Sequence, residues 1–320
     1  MKKILVLPIL FIALLTNTVS AKIWRVNNTA GVNADFTDPQ LAHNAAVAGD
    51  TIHIEPSATG YGNLNVSKRI VLIGNGHTLN QDTGLQVNSN NSTISSLDFQ
   101  VGSANSSMQG MSVTYLYLED QNVMIRRNSI SYIYWYPGAI NNTLLDNSLY
   151  YIIQNQAGAI TGINISNNIF NGINAVSFNS TSSGIFENNV CYGGGAVTLY
   201  NFQVDNNIFW STSFPVNNNV YFNNIGDGTQ FGNANGNQQN VTPMANYVFV
   251  ASGTYDGQFQ LKTGSPAIGA GFNGVDCGAF GGPNPYKLGG IPNVPTIYKL
   301  VVPPTGTTNI NVTISTKSNN

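Results

Sequence analysis

Glu187 and Asp205 are the residues of this chain whose type and spacing come nearest to chemistry. Each stands two places before an asparagine, Asn189 and Asn207, in the stretches "FENN" and "VDNN". A chain that repeats at that interval brings them side by side on neighbouring coils, about 5 Å apart in backbone spacing. Two carboxyls at such a separation can act as nucleophile and acid/base on a glycosidic bond, and their oxygens can hold calcium. The alternative is two solvated like charges that splay apart. No Lys or Arg occurs between Asn128 and Leu261 to relieve them.

Aromatic residues form the second group. Tyr150, Tyr192 and Trp210 each lie three places after an asparagine of the same series. "SYIYWYPG" adds Tyr132, Tyr134, Trp135 and Tyr136, and "VTYLYLED" adds Tyr115 and Tyr117. Exposed rings suit the apolar faces of sugars, with nearby Asn and Ser for the hydroxyls. Packing between coils is the alternative use of the same rings. If the position two after each asparagine is inward, Tyr150, Tyr192 and Trp210 form one outward stripe.

Positioning these groups requires a repeat, and the asparagines supply it. Asn128, Asn147, Asn168, Asn189, Asn207 and Asn224 recur at intervals of 19, 21, 21, 18 and 17 residues, the mark of a solenoid. Three places before them stand Ile125, Leu144, Ile165, Phe186, Val204 and Tyr221; two places after stand Ile130, Leu149, Phe170, Cys191, Phe209 and Gly226. The change of alternation across the asparagine reads as strand, corner, strand. Asn tolerates the left-handed backbone of such a corner, and stacked amides can bond to one another as a ladder. The coil length suits three short parallel strands and three bends, a right-handed parallel β-helix. "STISSLDF" aligns as an earlier coil around Leu97, and the 31 residues from there to Asn128 imply an insertion near Met108 to Asp120.

Residues 1–21 read as a secretory signal peptide, with Lys2 and Lys3, an apolar stretch from Ile4 to Leu15 and a small-residue site at Val19-Ser20-Ala21. Residues 22–50 read as an N-terminal strand and short capping helix, with Thr37 as N-cap, Gln40 closing a capping box and Phe36 stapled to Leu41. Residues 51–258 read as the coils and 259–320 as an irregular C-terminal cap with two terminal strands. No later segment approaches the ~20 apolar residues of a transmembrane helix, so a secreted or cell-surface location is expected. With 8% charged residues and a net charge of −2, no field is available to hold nucleic acid. Cys191 and Cys277 read as two separate thiols rather than a bridge. The three histidines lie apart from both, leaving no zinc-type cluster, and His77 in "NGHT" reads as a turn or surface residue. Oligomeric state has no signal.

"GDTIHIEPSATGYGNLNVSKRIVLIGNG" (49–76) and "FQLKTGSPAIGAGFNGVDCGAFGG" (259–282) resemble the opening and closing segments of secreted bacterial β-helix proteins of the pectin-lyase-like superfamily. The resemblance implies the fold over nearly the whole mature chain. For activity it implies a choice among polysaccharide lyase, glycoside hydrolase and non-catalytic adhesin. A lyase would need an Arg or Lys beside calcium-binding carboxylates, from Arg126, Arg127, Lys68 or Arg69. Arg127 and Asp146 instead occupy equivalent positions in adjacent coils and can pair. The Gly-His-Gly and Arg-Ile-Lys signatures of polygalacturonase-like hydrolases are missing. The expectation is a β-helix that contacts neutral polysaccharide, with catalysis at Glu187 and Asp205 or a purely structural role as alternatives, no required cofactor, and calcium as a possible ligand.

Overall fold

The computed structural model describes residues 21–214, 217–303 and 310–319; the expected signal peptide, Ala21 apart, lies outside them. Each asparagine pair turns the chain through a corner. The first residue of the pair carries the turn, with φ between 49° and 58° at Arg127, Asp146, Asn167, Asn188, Asn206 and Asn223. Strands before the corners form one ten-stranded sheet, from Ile23–Val26 to Val220–Phe222. Strands after them form a second ten-stranded sheet, from Asn63–Val66 to Ile225–Gly226. Neighbouring strands in each sheet come from successive coils and pair in parallel. The result is a parallel β-helix of about nine turns.

The second asparagine of each pair points inward. Asn128, Asn147, Asn168, Asn189, Asn207 and Asn224 are fully buried. From Asn147 onward each amide oxygen accepts both the backbone N–H and the side-chain N–H of its predecessor: Asn147 donates to Asn168 Oδ1 at 2.9 and 3.0 Å, and Asn168 to Asn189 Oδ1 at 2.9 and 3.0 Å. The series continues from Asn224 to Asn237 Oδ1. Each side-chain amide also reaches the backbone of another coil, as Asn168 Nδ2 does to Leu144 O at 3.0 Å.

Apolar columns fill the interior. Ile52, Leu72, Met108, Ile125, Leu144, Ile165, Phe186 and Val204 succeed one another in register on the first sheet, all fully buried. On the second sheet the inward residues of Ser129–Trp135 are Ile130, Ile133 and Trp135. A spacing of three and then two marks a bend, so the second and third expected strands of most coils run together. They separate where Val190–Tyr192 and Ala196–Thr198 flank three glycines; a Cβ on Gly195 would stand 2.1 Å from Asn174 O.

Five expectations need correction. Ile94 aligns with Val113 and Ile130, not with the column before the corner, so Ser92 and Met111 occupy the asparagine position and no insertion exists. A whole coil was concealed because Met111 needs no amide of its own: its backbone N–H is bonded by Asn128 Oδ1 at 3.0 Å. The capping helix spans Pro39–Ala45, and its N-cap is Asp38, which accepts from Gln40 N and Leu41 N; a carboxylate is a stronger acceptor there than Thr37. Gln40 instead accepts from Asn65 N at 2.8 Å, and Phe36 packs on Trp24 rather than on exposed Leu41. Regular pairing within the coils ends at Gly226, well before residue 258.

The chain after the coils runs back along their side. Asn223 Nδ2 donates to Ala270 O at 3.0 Å, Phe272 N to Asn206 Oδ1 at 2.9 Å, Asn188 Nδ2 to Asp276 O at 3.1 Å and Asn167 Nδ2 to Ala279 O at 3.0 Å. The outward asparagines of the corners therefore bind this segment. Beyond it, Thr296–Val301 and Thr313–Lys317 pair as an antiparallel hairpin.

Replacing Asn168 by Leu removes three donated bonds and the acceptor of two more. With buried partners left unsatisfied, the expected loss is at least about 3 kcal/mol, read from urea unfolding. An unchanged midpoint would contradict the structural role given to the amide.

Candidate functional site

Glu187 and Asp205 are opposite one another on adjacent strands of the first sheet. Asp205 is almost wholly buried and Glu187 partly so. Gln203 Nε2 donates to Asp205 Oδ2 at 2.9 Å, leaving Asp205 Oδ1 buried with no partner among the described residues. Ser166 Oγ donates to Glu187 Oε1 at 3.3 Å. Burial raises both carboxyls above their usual range, and Asp205 raises Glu187 further. Each carboxyl therefore keeps its proton to higher pH than it would in water. Neither residue lines the two cavities described below, which lie by the C-terminal segment.

The stripe expected from Tyr150, Tyr192 and Trp210 is divided. Tyr192 and Trp210 pack on each other at 4.5 Å and then under the returning chain, against Phe259 at 5.7 Å and Phe249 at 5.8 Å. They belong to a second apolar core, in which the outward residues Ile169, Val190, Ile208 and Ile225 meet Met244, Val248, Phe249 and Cys277. The signal was present in the sequence: from Ile169 onward both residues after the asparagine are apolar or small, as in strands buried on both faces. Trp135 is likewise inside, edge-on to Phe178 at 5.5 Å, with its indole N–H donating to Ala139 O at 2.7 Å. The bend in the second sheet reverses its expected direction.

Tyrosine rings do gather on one outward face. Tyr115 stacks on Tyr132 at 5.3 Å and Tyr117 on Tyr134 at 5.2 Å. Tyr150 and Tyr151 meet Tyr132 edge-on at 6.0 and 5.7 Å. The six rings span three adjacent coils, and Tyr115 and Tyr150 are the most exposed. The next position in the Tyr117 and Tyr134 column is Asp98. Burial raises the Asp98 carboxyl, one of whose oxygens lacks a partner among the described residues, and Glu119 is raised by burial and by Asp98. Sequence reasoning took the tyrosines of "YLYLED" and passed over the acids beside them.

Other groups are structural in setting. His77 is fully buried, not at the surface; its Nε2 lies 3.4 Å from the Tyr286 hydroxyl, and burial pushes the imidazole down to about 4. Arg127 Nε stands 3.7 Å from Asp146 Oδ2 across adjacent coils. Cys191 and Cys277 are free, buried thiols. Among the described residues no group of three or more His, Cys, Asp and Glu is arranged to hold a metal ion, and no helix is long and apolar enough to cross a membrane.

These features define a parallel β-helix protein with one outward tyrosine face and one covered face. No family model and no curated protein matches the chain. Among solved structures it is similar to pectate lyase Pel9A, at 15% identity and a TM-score of 0.34, covering 82% of this chain and 97% of that one. The assignment of the β-helix rests on the strand pairing itself.

Two outcomes follow. Carboxyls whose folded values are raised contribute stability below the ordinary carboxylate range, and lose it as pH rises through the raised values. Glu187→Gln with Asp205→Asn should therefore lose less stability than the native chain between about pH 4 and neutrality, followed by thermal unfolding across that range; parallel curves would show that the pair is not perturbed. Trp210→Ala should cost roughly 2–4 kcal/mol and expose the chain between Met244 and Ile291 to limited proteolysis, whereas a free surface ring would do neither.

Proposed function

We propose that this is an extracellular β-helix protein that binds polysaccharide on the tyrosine face of its second sheet. The observation that carries the reading is the contiguous outward cluster of Tyr115, Tyr117, Tyr132, Tyr134, Tyr150 and Tyr151. Stacked on one another along three adjacent coils, the rings present their edges and hydroxyls as an extended, shallow strip that can meet the C–H groups and hydroxyls of successive sugar residues. The acids near it, Asp98 and Glu119, disfavour a polyuronate, which would meet like charge without a cation to offset its desolvation. A neutral chain is the better fit. The signal peptide read at residues 1–21 supports an extracellular location.

The raised, registered carboxyls of Glu187 and Asp205 favour a second reading, in which a glycan is also cleaved or calcium is held on the first sheet. Incubation with polysaccharides while new reducing ends and unsaturated products are followed tests the catalytic form. Retention of product formation by the Glu187→Gln, Asp205→Asn variant would remove these residues from it.

For the binding reading, Tyr132→Ala with Tyr134→Ala should weaken retention on a neutral polysaccharide in affinity electrophoresis by about tenfold or more. Circular dichroism should show the coils intact, and Tyr115→Ala gives a more exposed single change if the double variant is unstable. Unchanged retention by folded variants would place binding elsewhere.

A further inference from the structure

Beside the corner column, where the returning chain meets the middle coils, a cavity of about 190 Å³ is lined by Arg126, Arg127, Lys287, Asp146, Asn284 and Asn293 among others. Three cations there face one carboxylate. Arg127 and Asp146 are 3% and 1% exposed, so their charges have left water at considerable cost. The pairing between them is incomplete: 3.7 Å from Arg127 Nε to Asp146 Oδ2 is too long for a good hydrogen bond. Arg127 Nη1 is committed to Ile291 O at 3.0 Å, to Asn293 Oδ1 and to Asn319 O at 3.2 Å. Arg126 Nε, Arg127 Nε and Asp146 Oδ1 are buried without a hydrogen-bond partner among the described residues. Two of these atoms are unused donors; the third belongs to a carboxyl that burial raises to about 7, so the recess is net positive in a chain with few charges.

We propose that this recess binds a small oxyanion. Guanidinium N–H groups match the oxygens of such an ion, and Lys287 adds a charge from an exposed position on the lining. A tetrahedral anion carries enough acceptors to reach Arg126, Arg127 and the amide of Asn284 or Asn293 together. Arg127 and Lys287 also line a larger cavity of about 660 Å³, whose other walls include Tyr286, Tyr298 and Lys317 and which has no Asp or Glu among its described lining residues. That space is of the size that holds a small organic molecule. The anion can therefore be free or carried on a sugar-sized body, and the site is separate from the tyrosine face.

Thermal unfolding and isothermal titration of the full chain with inorganic phosphate, glucose 6-phosphate and glucose test this, against sodium chloride at matched ionic strength. Both phosphates should raise the unfolding midpoint by several degrees as their concentration passes the dissociation constant, and glucose should not. A larger rise with glucose 6-phosphate means that the larger cavity takes the sugar body; equal rises mean that the ion binds alone. Arg126→Gln with Lys287→Gln, both at partly or fully exposed positions, should abolish the rise, while Lys262→Gln, far along the chain and exposed, should keep it. No rise in the native chain, the same rise in the double variant, or a rise with glucose alone would overturn the proposal.

Discussion

The buried amide column at the corner is the constraint on which the rest of the molecule depends. Each inward asparagine offers one oxygen to two donors of its neighbour and its own N–H groups to backbone carbonyls. A buried polar group without such partners would be costly, so every coil must return to the same corner at the same height. Chain length between corners can vary, because the loops absorb the difference. Side chains at equal distance from the corner are then about one strand spacing apart. That single consequence stacks the tyrosines, opposes Glu187 to Asp205 and brings Arg127 towards Asp146.

The corner also divides labour between its two residues. The left-handed first residue turns its side chain outward, and in the later coils these amides hold the returning C-terminal chain. That chain covers Ile169, Val190, Ile208 and Ile225 together with Tyr192 and Trp210. The earlier coils carry serine at the positions equivalent to the isoleucines, Ser129 and Ser148, and keep their tyrosines uncovered. One side of the solenoid thus becomes a second core in its later half and an open aromatic face in its earlier half. With amides supplying most polar contacts, the few charges are left in partly dry places, which is why several carboxyls are raised.

Much of this was legible because a solenoid writes its fold locally. The asparagine interval and the inward columns at Ile165 and Phe170 are periodic features that a single chain displays without reference to distant residues. The earlier coil failed to show because Met111 and Ser92 carry the corner without its marker. Thr37 reads as the helix cap, but Asp38 beside it is also a good acceptor, and only the backbone decides which stands at the boundary. Trp135 was misdirected by a bend that shifts the alternation by one residue.

The sequence by itself determined the coil, its corner and which residues share a column, since these follow from short-range periodicity and from the chemistry of asparagine. Only the tertiary structure decided which outward residues remain outward. Whether Trp210 faces solvent depends on Phe249 and Phe259, and whether Arg127 is a surface charge depends on Ile291 and Asn293, residues separated from them by the whole remaining length of the coils or more. Exposure is a property of what finally packs against a surface, and no local pattern records where a distant irregular segment will come to lie.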